Sequence, residues 1–301
     1  MSNPNNLSVQ FDGVSKRYKY FSLENIHLEL PTGSIMGFIG ANGAGKSTTI
    51  RILMGLVHQD EGTVRVLGHQ MPAAQAAAKL DIGFVSEDMR LYSAATLKWH
   101  MDFMRPIYPR WDQAYADELA RRFDLKPQRK IKGLSHGQRV KAALLLSLAR
   151  RPRLLVLDEP TTGLDPVARV EVLGELMAAL ADEDRTILFS SHNTLDVEQI
   201  SDQITFIDRG RIIDSDDKEV FLDRWRRLRL VLPPDVVVPK LPGVVEVGGS
   251  GRLPVLTTNR FDPAMVSAYN DLGATVQAVD TMTLEEIFVA NVHSRRERLT
   301  A

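Results

Sequence analysis

The stretch from Gly40 to Thr48 has the residue types and spacing of a loop that binds phosphate groups. Its sequence, GANGAGKST, fits the pattern G-x-x-x-x-G-K-[S/T]. An apolar run of strand length (34–39) precedes the loop, and apolar residues at helical spacing (49–56) follow it. This order aims backbone N–H groups and a helix N-terminus at one point, which suits a nucleotide triphosphate and disfavours a chance match. The candidate nucleotide-binding residues of the loop are Gly40, Asn42, Gly43, Ala44, Gly45, Lys46, Ser47 and Thr48.

Two carboxylates follow a second apolar run further along the chain. Four apolar residues (154–157) precede Asp158 and Glu159, as in a strand that is buried in a parallel sheet. Asp158 suits a metal-linked role, because a hard cation that bridges phosphates prefers oxygen ligands. Glu159 points the other way on a strand and could orient or deprotonate an attacking water. A surface acidic pair is the alternative, which the apolar run disfavours.

His192 follows the next predicted buried strand, residues 185–190, which ends at Ser191-His192. A lone histidine is usually structural, but catalytic groups in open α/β sheets collect at the carboxyl ends of strands. The position of His192, one strand after the two carboxylates, therefore favours contact with a γ-phosphate or with the water beside it.

Two further segments are ambiguous on their own. Ser135 and Gln138 have capping-box spacing, so their helix could expose a second anion site, although a well-capped structural helix explains the pattern equally simply. Tyr18 lies upstream of the glycine loop, where it could stack on an adenine ring or pack over a sheet edge. The residues alone leave both possibilities for Tyr18 open.

Composition limits the class of protein. The 301 residues carry 37 Lys and Arg against 38 Asp and Glu, and no cysteine, which gives no global attraction to nucleic acid and no disulfide or thiolate chemistry. The segment Met1–Asn6 is polar and holds no apolar signal core, and the apolar stretch 142–149 is shorter than the roughly 20 residues that span a bilayer. We therefore expect a soluble, cytosolic protein whose membrane role, if any, comes through a partner.

The chain order predicts how these groups are positioned. Alternating strands near 7–11 and 26–30 lead into the parallel core, and an amphipathic helical block (95–123), with Asp112 as a helix cap, is inserted between strand-forming regions. After a hairpin through 208–210, short strands and helices predict a small α+β appendage. The basic stretch 224–229 fits a solvated helix end that runs into a strand better than a nucleic-acid patch.

Taken together, the glycine loop, the stretch Leu134-Ser135-His136-Gly137-Gln138 and the stretch Leu157-Asp158-Glu159-Pro160 resemble the ATP-binding cassette (ABC) ATPases, over residues 7 to about 213. The resemblance implies an α/β fold: a P-loop NTPase core of ABC type, with a parallel sheet, an antiparallel β subdomain and an inserted helical subdomain. A small C-terminal α+β domain would follow. The implied domains are 1–225, with the helical subdomain at about 89–150, and an accessory domain at 226–301.

The same resemblance implies a role for each matching position. Tyr18 would stack on adenine, Lys46 would contact the β- and γ-phosphates, and Ser47 would contact Mg²⁺. In a head-to-tail homodimer, the signature residues Ser135, His136, Gly137 and Gln138 would reach the ATP of the other copy. Asp158 would be linked to Mg²⁺, Glu159 and His192 would be catalytic, and Asp165 would communicate across the dimer. The implied cofactors are ATP and Mg²⁺.

Two positions depart from the family pattern. Glu87 stands where glutamine is usual, so it keeps an oxygen for magnesium or its water but adds a negative charge; we expect altered rather than lost ATPase coupling. His136 stands where glycine is common, and we expect little damage to ATP binding because Ser135 and Gly137 are kept.

The leading functional hypothesis is the ATP-hydrolysing subunit of a transporter, which drives a separate membrane-spanning permease. The segment 280–288 is similar to the ending of ATPases that serve exporters of antibiotics, peptides or lipids, and 108–112 with Glu87 is similar to a bacterial subgroup linked to envelope and antibiotic stress. Such a subunit would be cytoplasmic and peripheral on the inner face of the membrane, and no nucleic-acid partner is expected. The alternatives are a soluble ABC ATPase that acts on ribosomes or nucleic acid, and a nucleotide-gated regulator.

Overall fold

A computed structural model of the chain describes residues 6–179, 185–234, 237 and 239–300. The N-terminal prediction for Met1–Asn6 therefore lies outside the described residues, apart from Asn6. Contacts divide the chain into two units: the first ends at Ser201 and takes in Ile207–Ile212, and the second takes in Asp202–Phe206 and resumes at Ile213. This division lies before the predicted domain boundary at residue 225.

The first unit opens with a four-stranded antiparallel sheet in the order β2-β1-β4-β5. Its strands are β1 (Leu7–Arg17), β2 (Ser22–Pro31), β4 (Glu61–Val66) and β5 (His69–Met71). Alternation places Val9, Phe11 and Val64 in the core, as the sequence pattern predicts. The first strand is longer than predicted because a register irregularity between Phe11 and Val14 lets it continue to Arg17.

A six-stranded sheet in the order β10-β9-β3-β8-β7-β6 forms the parallel core. Its strands are β3 (Ile35–Ile39), β6 (Ile82–Ser86), β7 (Leu154–Asp158), β8 (Thr186–Ser191), β9 (Gln203–Asp208) and β10 (Arg211–Asp217). The pairs β3–β8, β8–β7 and β7–β6 are parallel, and every residue of β3, β7 and β8 is buried. The continuous apolar runs of the sequence are therefore strands covered on both faces.

Helices accompany this sheet in the first unit. They are α1 (Lys46–Leu53), α2 (Gln75–Leu80), α6 (Pro166–Ala179) and α7 (Thr194–Ile200). The predicted strand, glycine loop and helix succession is confirmed at β3 and α1.

A helical segment is inserted between β6 and β7, as predicted. It contains α3 (Leu97–Met104), α4 (Gln113–Arg122), a 3-10 turn (Ile131–Gly133) and α5 (His136–Leu148). Asp112 caps α4 as expected, because its side chain accepts a hydrogen bond from the Tyr115 backbone N–H at 2.9 Å. Arg151 Nη2 also donates a hydrogen bond to Asp112 Oδ2 at 2.8 Å. Both hydrogen bonds, that from the Tyr115 backbone first and that from Arg151 second in size, lower the pKa of the Asp112 carboxyl.

The second unit contains a four-stranded antiparallel sheet in the order β12-β13-β11-β14. Its elements are α8 (Lys218–Arg224), β11 (Arg226–Val231), β12 (Val244–Ser250), β13 (Leu253–Thr258), α9 (Ala264–Asp271), β14 (Thr275–Thr281) and α10 (Leu284–Thr300). Leu228, Leu256 and Tyr269 are buried between the sheet and α9. The last helix, α10, continues to Thr300.

The basic stretch 224–229 lies where α8 runs into β11, as predicted. Trp225 is fully buried. The arginines face carboxylates: Arg224 with Asp214 at 2.8 Å, Arg226 with Asp223 at 3.5 Å, Arg227 with Glu286 at 2.5 Å and Arg229 with Asp280 at 2.6 Å. This stretch is therefore a set of internal ion pairs rather than an open cationic patch.

Across the described residues, no helix combines the length and the apolar character that crossing a membrane requires.

Candidate functional site

Parallel register brings the carboxyl ends of four strands to one edge of the core sheet. Ser86 is paired with Asp158, Asp158 with Ser190, and Ile39 with Ser191. The residues that follow these ends are the glycine loop, Glu87, Glu159 and His192. The sheet edge therefore collects the predicted phosphate-binding and catalytic groups, as open α/β sheets do.

The glycine loop turns sharply into α1 because its glycines adopt left-handed backbone angles. Gly45, the residue before the helix, has φ 118°, and Gly43 has φ 77°. A Cβ on Gly45 would lie 2.7 Å from Leu23 Cδ2, so a side chain there would require Leu23 to shift in addition to the strained backbone angle. The following backbone N–H groups are the free donors of a helix N-terminus, which suits an anion.

Lys46 is held under the loop by oxygen atoms. Its Nζ donates to the Gly40 carbonyl at 2.6 Å and lies 3.1 Å from Glu159 Oε1. The side chain is only 5% exposed, so the ammonium is confined to this position. The structure thereby brings together the loop lysine and a carboxylate that is more than 100 residues away in sequence.

Glu159 also contacts His192. Its Oε2 accepts a hydrogen bond from His192 Nδ1 at 2.8 Å and from the His192 backbone N–H at 3.3 Å. Glu159 has φ 54°, an uncommon angle for a residue other than glycine, and its backbone N–H donates to the Ser190 carbonyl at 3.1 Å. The local backbone thus holds Glu159 where it reaches both Lys46 and His192.

A cavity of about 460 Å³ lies over the glycine loop. Its lining residues are Tyr20, Phe21, Ala41, Asn42, Gly43, Gly45, Lys46, Ser47, Thr48, Glu87 and Glu159. A volume of this size suits a small-molecule ligand. Gly40 and Ala44 are outside this lining: Gly40 accepts from Lys46, and the Ala44 carbonyl accepts from the Gly210 backbone N–H at 2.8 Å.

The aromatic residues beside this cavity are not the one that sequence reasoning selected. Tyr18 is outside the lining; its backbone N–H donates to the Phe21 carbonyl at 2.8 Å, and this turn carries Tyr20 and Phe21 to the cavity. Tyr20 is 87% exposed, and Lys19 Nζ lies 4.9 Å from the centroid of its ring. The signal that could have found it is the run of aromatics in 18–21, which offers more than one ring.

Asp158 and Glu87 differ in their access to the cavity. Asp158 is buried, is outside the lining, and its Oδ1 accepts from Ser190 Oγ at 2.7 Å. Glu87 is exposed and lines the cavity with Ser47. Within the described residues, no group of three or more His, Asp or Glu side chains could hold a metal ion alone. The oxygens that face the cavity fit a magnesium ion that is bound partly through phosphates, because such sites use few protein carboxylates.

The segment Ser135–Gln138 forms the predicted cap of α5. Ser135 Oγ accepts from the Gln138 backbone N–H at 3.2 Å, and Gln138 Oε1 accepts from the Ser135 backbone N–H at 3.1 Å. Ser135 and His136 are exposed, and neither they nor Gly137 line the cavity over the glycine loop. This segment therefore presents a helix N-terminus at the surface of the first unit.

Asp165 is exposed and caps another helix. Its Oδ1 accepts hydrogen bonds from the backbone N–H groups of Val167 and Ala168, at 3.0 and 2.9 Å. Within one chain, Asp165 therefore serves as a helix cap. Its predicted part in communication across a dimer stays a prediction.

A second cavity, of about 400 Å³, adjoins the same carboxylates. Its residues come from the end of β6, the segment after it, the 3-10 turn, α5 and the segment after β7; they include Arg90, Leu91, Lys132, His136, Arg139 and Thr162. Glu87 and Glu159 line both cavities. The two spaces therefore share a wall that contains both acidic residues.

Comparison with known proteins agrees with these motifs. The model of the ABC transporter family matches residues 23–162. The ABC transporter ATP-binding protein YtrB of Bacillus subtilis (strain 168) is 28% identical over 275 residues, which are 91% of this chain and 94% of that protein. The Daunorubicin resistance ATP-binding protein DrrA3 of Streptomyces coeruleorubidus is 33% identical over 212 residues, covering 68% of this chain and 67% of that protein.

A solved structure shares the fold. It is a dimeric structure of the ATP-binding cassette MJ0796 in a post-hydrolysis state, bound to ADP and Pi. The TM-score is 0.63 at 21% sequence identity, and the match covers 69% of this chain and 98% of that chain. At 21% sequence identity, this similarity shows a shared fold and nothing further.

Proposed function

Since the chain belongs to the ABC transporter family, as an ATPase coupled to transport, we propose that it is the subunit that hydrolyses ATP to drive a separate membrane-spanning permease. We further propose that two copies close head to tail on ATP and that the permease exports an antibiotic, a peptide or a lipid. The observation that carries the proposed hydrolysis is the position of Glu159, which contacts Lys46 at 3.1 Å and His192 at 2.8 Å beside the glycine loop.

The proposed reaction uses these groups directly. The Lys46 ammonium and the backbone N–H groups of the glycine loop bind the phosphate oxygens of ATP. Glu159 takes a proton from a water molecule, whose oxygen forms a bond to the γ-phosphorus. The bond between the γ-phosphorus and the bridging oxygen breaks, ADP leaves with the electron pair, and phosphate is released. His192, which is 47% exposed, can contact the γ-phosphate while it holds Glu159.

In this proposal Ser47, Glu87 and Asp158 hold Mg²⁺, directly or through water. Bound Mg²⁺ neutralises charge on the phosphates. Ser47 and Glu87 line the cavity and would contact the ion, whereas Asp158 is buried outside the lining and would contribute its negative charge from there.

The proposed homodimer completes each site with the Ser135–Gln138 segment of the other copy. The exposure of Ser135 and His136 supports this arrangement, because the backbone N–H groups of a helix N-terminus at the surface can bind a phosphate group of ATP that is held by a second molecule. The dimeric form of the MJ0796 cassette supports it by analogy of fold. In the closed dimer, Asp165 would link the two sites, and Tyr18, Tyr20 or Phe21 would contact the adenine.

The proposed permease and the export direction rest on the relatives. One of them is named as a daunorubicin resistance protein and another as a transporter ATP-binding protein. The chain would then lie in the cytoplasm, on the inner face of the membrane. The ion-paired arginines of 224–229 give no support to the alternative of a nucleic-acid ATPase.

The test is co-expression of the tagged chain with the permease gene next to its own, followed by purification from detergent-solubilised membranes. We expect the permease to co-purify and transported substrate to stimulate ATP hydrolysis. Recovery of the tagged chain with ribosomes or nucleic acid, and without a membrane protein, would overturn the proposed role in transport. The assignment of ATP hydrolysis to the chain would still stand.

A further inference from the structure

The imidazole of His136 contacts the segment that follows Glu159. His136 is the first residue of α5, and its Nε2 donates a hydrogen bond to the Thr162 carbonyl at 3.0 Å. A carbonyl oxygen can only accept, so this contact requires the proton of His136 on Nε2. The contact joins the start of α5 to a residue 26 positions later in the sequence.

Thr162 passes this contact on to the carboxylate. Its Oγ1 donates to Glu159 Oε2 at 3.2 Å, and the same oxygen accepts from His192 Nδ1 at 2.8 Å. Glu159 Oε2 is therefore held between the hydroxyl of Thr162 and the imidazole of His192. His136 thus contacts the backbone carbonyl of the residue whose hydroxyl contacts Glu159.

The backbone after Thr162 also lies close to the ring of His136. The next residue, Gly163, has φ 72°, and a Cβ placed on it would lie 3.3 Å from His136 Nε2. The glycine thus lets the backbone approach the imidazole closely. The hydrogen bond and this close approach place the 162–163 backbone against the His136 ring.

Helix capping does not account for this histidine. Ser135 and Gln138 supply both hydrogen bonds of the capping box, so α5 begins without help from the His136 side chain. His136 is exposed, so its ring also contributes little buried apolar area. What the side chain does contribute is the contact with Thr162.

We propose that His136 is a positioning residue for Glu159 of the same chain, acting through Thr162. The inference rests on the proposed function, because it assigns Glu159 as the group that receives the proton. Without the His136 hydrogen bond, the 162–163 backbone is less restrained and the Thr162 hydroxyl holds Glu159 Oε2 less firmly. The chemical step then slows while ATP binding, which depends on Lys46 and the glycine loop, is kept.

The test compares steady-state ATP hydrolysis by the full-length protein and three variants. His136→Phe keeps a ring and removes the donor, His136→Gln restores a donor, and Thr162→Val removes the hydroxyl. We expect His136→Phe to lower kcat about three- to tenfold, the range for one lost hydrogen bond, with an unchanged KM for ATP. We expect His136→Gln to recover most of kcat, and Thr162→Val to lower it similarly.

The double variant decides whether the residues act in series. If they do, His136→Phe combined with Thr162→Val lowers kcat less than the product of the two single effects. His58→Phe, at an exposed histidine outside both cavities, is the matched control and should leave kcat unchanged.

Three outcomes would overturn the inference. They are a wild-type kcat in His136→Phe, a change confined to KM, or a fall in kcat that His136→Gln does not reverse. Dimerisation gives a second readout, because His136 lies in the segment proposed to reach the ATP of the other copy, where Ser135 and Gly137 are the residues expected to contact phosphate. In a Glu159→Gln background, His136→Phe should leave the ATP concentration for half-maximal dimer formation unchanged, and an increase would assign His136 to the dimer contact instead. The Glu159→Gln variant distinguishes failure of the His136 inference from failure of the proposed function. Full activity of Glu159→Gln would contradict the proposed function itself, whereas its loss of hydrolysis would leave only the role of His136 in question.

Discussion

Glu159 Oε2 and His192 Nδ1 lie 2.8 Å apart, although their residues are separated by 33 positions in the sequence. The contact exists because β7 and β8 are parallel neighbours in register, so the residues that follow them meet at one sheet edge. The opposite oxygen of the same carboxylate faces Lys46. One glutamate thus joins the phosphate-binding loop to the histidine.

Glu159→Gln should abolish turnover and keep ATP binding. The amide cannot take a proton from water, and loss of a general base lowers rates by about 100- to 10,000-fold. Phosphate release measures turnover, and gel filtration with ATP should show a trapped dimer. Glu29→Gln, on the exposed side of β2, is the control. Hydrolysis at the wild-type rate in Glu159→Gln would show that another group is the base.

Lys46→Ala should weaken nucleotide binding itself. The ammonium is the buried cation of the cavity over the loop, and a hydrogen bond to a charged group contributes about 1.5–3 kcal/mol, which corresponds to roughly a 10- to 100-fold rise in the Kd for ATP. Titration calorimetry measures that Kd. Lys79→Ala, which removes a lysine bonded to Gln75 on α2, should bind ATP normally, and equal affinity in both variants would contradict the role of Lys46.

Glu87→Gln should change turnover by less than about tenfold, because the amide keeps an oxygen toward the cavity and removes one negative charge near the phosphates. The measurement is kcat across a series of magnesium concentrations. Asp88→Asn, the adjacent exposed acid that pairs with Arg51, is the control. A fall of tenfold or more would mean that the Glu87 carboxylate is itself required.

Asp112→Ala should destabilise the first unit by about 1 kcal/mol at pH 7, the usual value of a helix N-cap. The folded-state pKa of Asp112 lies below its ordinary value of 3.8, so the carboxylate stabilises the fold fully above that pH and loses this effect as the pH falls through the lower folded-state pKa. The difference in urea midpoint between wild type and Asp112→Ala should therefore shrink between pH 5 and pH 3.

Asp102→Ala is the matched control for the cap, since Asp102 forms an exposed ion pair with Lys98 within one helix. Such pairs contribute little, so its midpoint should stay close to that of wild type. A difference for Asp112→Ala that is independent of pH would mean that the charge of Asp112 has no part in the stabilisation.

Sequence predicted the features that have local signals. The glycine loop, the cap at Asp112 and the box of Ser135 with Gln138 each depend on residues a few positions apart, and the structure contains all three. Buried apolar runs likewise predicted the core strands. The prediction that Glu159 and His192 lie together came from the expectation that parallel strand ends meet, and the register of β7 and β8 brings them to one edge.

Contacts between distant segments could not be predicted in the same way. The turn from Tyr18 to Phe21 decides which aromatic reaches the cavity, and only the backbone path shows that Tyr20 and Phe21 do. The contact of His136 with Thr162 depends on how α5 packs beside the segment after β7. Neither contact leaves a periodic pattern in the sequence.

The burial of Lys46 has an entropic consequence. A lysine side chain that becomes fixed loses about 1.5–2 kcal/mol of rotamer entropy at room temperature. Here the side chain is 5% exposed and the ammonium is fixed by the Gly40 carbonyl and the Glu159 carboxylate, so most of this loss takes place when the protein folds. A phosphate group that replaces the carboxylate as the partner of Lys46 contacts a cation that is already ordered. Binding then loses little further rotamer entropy of the lysine side chain, so more of the free energy of the contact appears as affinity.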